Sequence, residues 1–145
     1  MHPKLMPPLI ALLLAAPAFA ADEPVTLSAT LNGANEVDAQ GAGNKGDPKG
    51  SGSFTAKLDV AKGKLCYTLT TAGIDEPTMA HIHSGAAGKN GPVVIGLPDL
   101  DPGEHCQDID KERSGPLASK TSDFYVNVHN GDFSGGAIRG QLTRN

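Results

Sequence analysis

The sequence predicts an all-β fold, a single antiparallel β-sandwich domain. Three observations carry this. Apolar and polar residues alternate through several short stretches, which is the period of a strand with one buried face. These stretches are bounded by Gly, Pro and Asn, and the chain holds 18 glycines and 11 prolines against 4% aromatic residues, a composition that suits short strands joined by turns. No stretch shows the apolar period of a helix.

The first 20 residues read as a secretory signal peptide. His2 and Lys4 make a weakly basic start, Leu5 to Ala16 is apolar, and Ala18-Phe19-Ala20 is a small-residue cleavage site. The apolar run is shorter than the roughly 20 residues that span a bilayer. A retained N-terminal anchor is the other reading of this segment. Cleavage after Ala20 leaves one domain, 21–145, periplasmic or secreted and with no membrane span. Losing Lys4 takes the formal charge from −4 to −5, a surface that favours neither nucleic acid nor an anionic membrane.

Val25 to Leu31 is the first strand, with Val25, Leu27, Ala29 and Leu31 inward and Asn32-Gly33 ending it. Gly41 to Gly52 has no aliphatic or aromatic anchor and reads as a flexible surface loop. Its Gly and Lys residues lack the spacing of a phosphate-binding loop. Gly52 to Val60 and Lys64 to Thr71 form a hairpin around Ala61-Lys62-Gly63. Phe54, Ala56 and Leu58 share one face of it, as do Leu65, Tyr67 and Leu69, while Cys66 points the other way. Asp75 and Glu76 are solvated turn residues. Thr78 to Ser84 is a strand, Gly85 to Gly91 a glycine-rich turn, and Pro92 to Leu97 a further strand begun by proline.

Pro98 to Lys120 is the longest irregular segment, acidic, with a short helical turn expected over Asp108 to Arg113. Asp123 to Asn130 and Ala137 to Thr143 close the fold as two strands around a Gly-rich turn. On the last strand Ile138, Gly140 and Leu142 face in, and Arg139, Gln141 and Thr143 face out.

Two strands carry the candidate chemistry. Ala80 and Ile82 share one face of their strand, and His81 and His83 the other. Val126 and Val128 share one face of theirs, and Tyr125, Asn127 and His129 the other. With the aliphatic residues inward, His81, His83 and His129 emerge on one side of the sheet. Neutral imidazoles there suit zinc or copper. The same residues also read as polar rim histidines bonded to Asn127, Ser84 or loop carbonyls. His105 reads as a loop histidine. Arg139 shares the face of His129. It reads as an anion-guiding charge beside a metal, or as a solvated arginine paired with Asp132 or another carboxylate. Cys66 and Cys106 are the only two cysteines. In an exported protein they form a disulfide, worth ~4 kcal/mol in the chain-entropy account. Soft metal ligation is their other reading. No hydrolase signature or glycosidase carboxylate pair is present.

Met79 to Gly88, followed by Gly91-Pro92-Val93-Val94, resembles the CHRD domain of chordin and of exported bacterial proteins. The block from Phe124 to Asn130 and on through Phe133 to Leu142 matches that family's second signature, and Leu27-Ser28-Ala29 to Asn35-Glu36-Val37 also fits. The resemblance covers nearly all of the chain after residue 20. It implies an antiparallel Greek-key or immunoglobulin-like sandwich and little about activity. More distantly, the order His81, His83, His129, Arg139 is similar to the copper ligands and superoxide-guiding arginine of copper/zinc superoxide dismutase. The metal-bridging histidine and the zinc loop of that family are missing here.

Three functions are therefore expected in order. The first is a non-enzymatic binding or structural domain with a copper or zinc site at His81, His83 and His129. The second is a mononuclear copper redox protein of dismutase type. The third is an extracellular module that binds an unknown protein partner without metal.

Overall fold

Side chains of alternating polarity put nearly every strand where its pattern predicts. The structure, a computed structural model, describes residues 23–145. The segment read as a signal peptide lies outside the described residues. The strands are β1 (Val25–Asn32), β2 (Ser51–Asp59), β3 (Lys64–Ala72), β4 (Pro77–Ser84), β5 (Val93–Gly96), β6 (Glu104–Asp108), β7 (Phe124–Asn130), β8 (Ile138–Gln141) and β9 (Thr143–Arg144). One helix, α1 (Lys111–Ser119), lies between β6 and β7. Among the described residues no helix is long and apolar enough to cross a membrane.

The expected all-β, antiparallel, single-domain fold is what forms. Its strands make one continuous curled sheet in the order β5-β4-β7-β8-β1-β2-β3-β6, with β9 on β1. The two halves meet where β8 touches β1 at the pair Arg139 and Asn32. The C-terminal run then leaves β7 and pairs with β1 at Leu27 and Ser28, so one stretch of chain serves both halves and curls the sheet. Gly140 allows this: a Cβ there would strike the Thr30 carbonyl and lie 2.9 Å from Leu31. Leu27, Phe54, Leu58, Leu65, Ile82 and Val126 from the two halves are fully buried against one another. That is the free-energy source of the fold, at ~1.5–3 kcal/mol for each fully buried aliphatic or aromatic side chain.

Pro98 to Lys120 departs from the irregular segment expected. Its first part is the edge strand β6, paired with β3 from Lys64 and Asp108 to Thr68 and Glu104. Cys66 and Cys106 face each other in that ladder and are joined by a disulfide. Its second part is α1, nine residues long. Asp110 caps α1 by accepting from the Arg113 amide at 2.9 Å. The buried face of α1 is Ser114, Leu117 and Ala118, followed by buried Thr121. Only two residues of that face, Leu117 and Ala118, are apolar, and Gly115 and Pro116 lie between them and Ser114, so no apolar period marks the helix.

Gly41 to Gly52 is irregular, as expected, but it is tied down. The Asp47 amide donates to Ala137 O at 2.8 Å, that of Lys45 to Glu36 O at 3.1 Å and that of Gly46 to Gly33 O at 3.1 Å. The segment therefore lies over the outer end of β8.

Candidate metal centre

The β4–β7 ladder places the three histidines. It pairs Met79 with His129, His81 with Asn127 and His83 with Tyr125, so His81 and His129 are diagonal neighbours on the outer face. Their rings lie 5.2 Å apart and steeply tilted, with His81 Nδ1 3.3 Å from His129 Nε2. The His81 and His83 rings are 5.6 Å apart and nearly perpendicular. One ring nitrogen from each histidine lies within 4.8 Å of the other two.

Loop carbonyls orient two of the rings. His83 Nδ1 is 2.9 Å from Gly91 O, and His129 Nδ1 is 2.9 Å from Ser134 O. A carbonyl only accepts, so both Nδ1 atoms carry the hydrogen and both Nε2 atoms present lone pairs. His81 Nδ1–H then donates to His129 Nε2. His83 Nε2 is buried with no partner. Gly91 makes the first carbonyl reachable: a Cβ there would strike the Ser84 carbonyl, so only glycine lets the turn fold back onto β4. In the second turn the Phe133 amide donates to Asn130 Oδ1 at 2.8 Å, and that of Gly136 to Phe133 O at 3.0 Å.

Burial, and then the neighbouring imidazole of His129, holds His81 below the usual histidine range. Burial is also the main cause for His83, with the charges of His81, His129 and Arg139 adding to it against the Gly91 bond. Neutral imidazole is the ligating form. With metal–nitrogen bonds of ~2.0–2.1 Å, two ligating nitrogens stand at most ~4.1 Å apart. Side-chain shifts of about 1 Å would bring the three nitrogens to the spacing a metal ion requires. Among the described residues this is the one cluster of three His, Cys, Asp or Glu side chains with that geometry. His105 takes no part in it; it sits on β6 with Nε2 2.9 Å from Asp101 O.

Arg139 lies on the predicted face but not in solvent. It is 2% exposed, roofed by the Gly85 to Gly91 turn. Nη1 donates to Asn90 Oδ1 at 3.0 Å, and Nη2 to Lys89 O at 2.6 Å and Ala86 O at 3.2 Å. Its guanidinium carbon stands 3.4 Å from the centre of the Tyr125 ring, and His83 stacks on the same ring at 4.8 Å and 6°. Tyr125 thus stands between arginine and histidine. Beside them Asn127 donates to Glu36. Burial pushes the Glu36 carboxyl up to about 7, against the pull of the Arg139 charge and the Asn127 amide.

The CHRD domain family matches residues 27–142. The chain belongs to the CHRD family. Searches of curated proteins and of solved structures each return no match. In this CHRD domain both family signatures converge on one outer face: the first supplies His81, His83 and the turn over Arg139, the second supplies Tyr125, His129 and Arg139 itself. The opening motif adds Glu36 beside them, bonded to Asn127. Sequence reading missed Glu36 and the bridging ring of Tyr125. Tyr125 was marked only by sharing the His129 face, and Glu36 only by its place in the opening motif.

Proposed function

We propose that this CHRD domain is an exported, non-enzymatic metal-binding module whose site is His81, His83 and His129. The observation that carries the reading is the buried, partnerless Nε2 of His83 beside the Nε2 of His129, each fixed by a carbonyl behind its ring. A buried acceptor without a donor costs about 1–3 kcal/mol, and a bound cation removes that cost. Carbonyl-anchored imidazoles are how metal-ligating histidines are usually held. Among divalent ions, nitrogen sites of this kind favour copper over zinc. The disulfide and the N-terminal segment support export.

The dismutase-type reading is not favoured. An arginine that guides anions must offer its donors to solvent, and those of Arg139 are engaged with Asn90, Lys89 and Ala86.

Calorimetric titration of metal-stripped protein with copper(II) and zinc(II), beside a folded His81→Ala/His129→Ala variant, tests the proposal. Tight one-to-one binding that the variant loses is expected. Weak binding, equal in both proteins, sinks it and leaves a protein-binding module with surface histidines.

A further inference from the structure

Met79 is the only methionine after residue 20. It stands on the outer face of β4, two residues before His81 and directly across the ladder from His129. A side chain of this size ordinarily goes into a core, yet Met79 is 49% exposed, and Ala80 takes the inward position beside it. The ladder is irregular at this point. Pro77 pairs with Asn130 and Met79 with His129, which leaves Thr78 as the extra residue of a β-bulge. Bulges re-aim adjacent side chains and gather at functional sites.

The open side of the trio is the Met79 side. His83 is closed in by the Tyr125 ring and the Gly91 carbonyl. His81 instead pairs with Gly96, where a Cβ would find nothing within 4 Å. Met79, His81 and Gly96 line one open groove together with Leu97 and Leu100. Of the three histidines it is His81 that lines this groove, together with the Met79 side chain.

We infer that Met79 supplies its Sδ as a fourth, soft ligand to an ion held by His81, His83 and His129, and that cuprous copper is the preferred occupant. The inference rests on the metal-binding reading above. Directly opposed residues in antiparallel strands have Cβ atoms ~4.5–5.5 Å apart, and the three rotatable bonds of methionine let its sulfur reach an ion on the neighbouring imidazole. Thioether sulfur selects Cu(I), whereas imidazole serves both oxidation states. Three neutral nitrogens and a neutral sulfur also bring no charge, which suits a monovalent ion in a half-buried site.

The test compares the unaltered protein, Met79→Leu and His81→Ala/His129→Ala. Cu(I) affinity is read by competition with a coloured cuprous chelator, and Cu(II) affinity by calorimetry. Leucine matches methionine in volume at this exposed position, so folding is kept. Met79→Leu is expected to hold Cu(I) about tenfold or more weakly while Cu(II) affinity stays within about threefold. The reduction potential of bound copper then falls by about 59 mV for each tenfold difference. X-ray absorption of the Cu(I) protein should show a sulfur neighbour that Met79→Leu lacks. Equal Cu(I) affinity in the unaltered protein and Met79→Leu, with both ions lost from the double histidine variant, overturns the Met79 assignment and leaves the three-histidine site standing. Failure of the unaltered protein to bind either ion tightly overturns both.

Discussion

The Tyr125 ring lies parallel to the His83 imidazole, 4.8 Å away and inclined by 6°, and the Arg139 guanidinium packs against the same ring. Its hydroxyl accepts from the Gly91 amide at 3.2 Å, and the Gly91 carbonyl in turn accepts from His83. One side chain therefore sets the His83 ring plane directly and its hydrogen bond indirectly. Fold stability and site geometry meet at this residue.

Replacing Tyr125 with leucine should act on both. Loss of the ring stacking and the cation–π contact is expected to destabilise the fold by about 2–4 kcal/mol in urea denaturation. Copper(II) affinity should fall roughly 10–100-fold, the usual cost of disturbing a ligand's support. Tyr125→Phe, which keeps the ring and removes only the Gly91 contact, should lose about 1 kcal/mol. Full copper affinity in Tyr125→Leu would show that the His83 ring does not depend on the stack.

Arg139→Met should cost about 2–4 kcal/mol of stability, from the acceptors it strands and the cation–π contact it removes. It strands the Lys89 and Ala86 carbonyls and Asn90 Oδ1 under the glycine-rich turn and removes the charge that pulls the Glu36 carboxyl down. Arg139→Lys should recover little, because a compact ammonium cannot cover a ring face and three loop acceptors at once. An anion-guiding arginine would behave oppositely: both variants would keep their unfolding midpoints and lose only a salt-dependent rate.

The site was legible in the sequence to the extent that strand alternation controls it. His81, His83, Asn127, His129 and Arg139 share a face because two-residue periodicity puts them there once Ile82, Val126 and Ile138 face the core. Alternation says nothing about what lies over a face. The burial of Arg139 and Glu36 comes from the turn of residues 85–91 and the loop after β1, whose positions depend on backbone bonds to distant strands. The same gap hid β6: Glu104-His105-Cys106-Gln107-Asp108 is polar on both faces and is a strand because β3 and the disulfide hold it. It also hid the length of α1: the sequence marks a helical turn over Asp108 to Arg113, whereas the helix runs on to Ser119 with a buried face of only Ser114, Leu117 and Ala118.

The disulfide should matter most for that edge. β6 pairs with β3 alone in the sheet, and Cys66–Cys106 crosses the ladder between them. Replacing both cysteines with alanine is expected to cost about 2–4 kcal/mol. Hydrogen exchange should quicken first at Glu104 to Asp108, ahead of β4 and β7. Copper affinity should change little, since the trio lies on the other half of the sheet. Loosening that spread evenly through both halves would contradict a local role for the bridge.

Glu36 gives the fold a pH dependence with a definite sign. Its carboxyl is pushed up to about 7 in the folded protein, from the ordinary 4.5 that holds in the unfolded chain. The folded state therefore binds this proton more tightly. The stabilisation is complete below pH 4.5 and is lost as pH rises to about 7. The difference amounts to about 3 kcal/mol for a shift of this size. The histidines His81 and His83 run the other way: their folded values lie below the usual one, so they favour the fold above about pH 6.5 and withdraw that stability on acidification. Glu36→Gln separates the two, because glutamine keeps an acceptor for Asn127 and cannot ionise. Urea denaturation from pH 5 to 8 should show the variant gaining stability relative to the unaltered protein as pH rises, by about 2.5 kcal/mol across the range. A constant difference between the two proteins would mean that Glu36 stays ionised throughout, paired with Arg139.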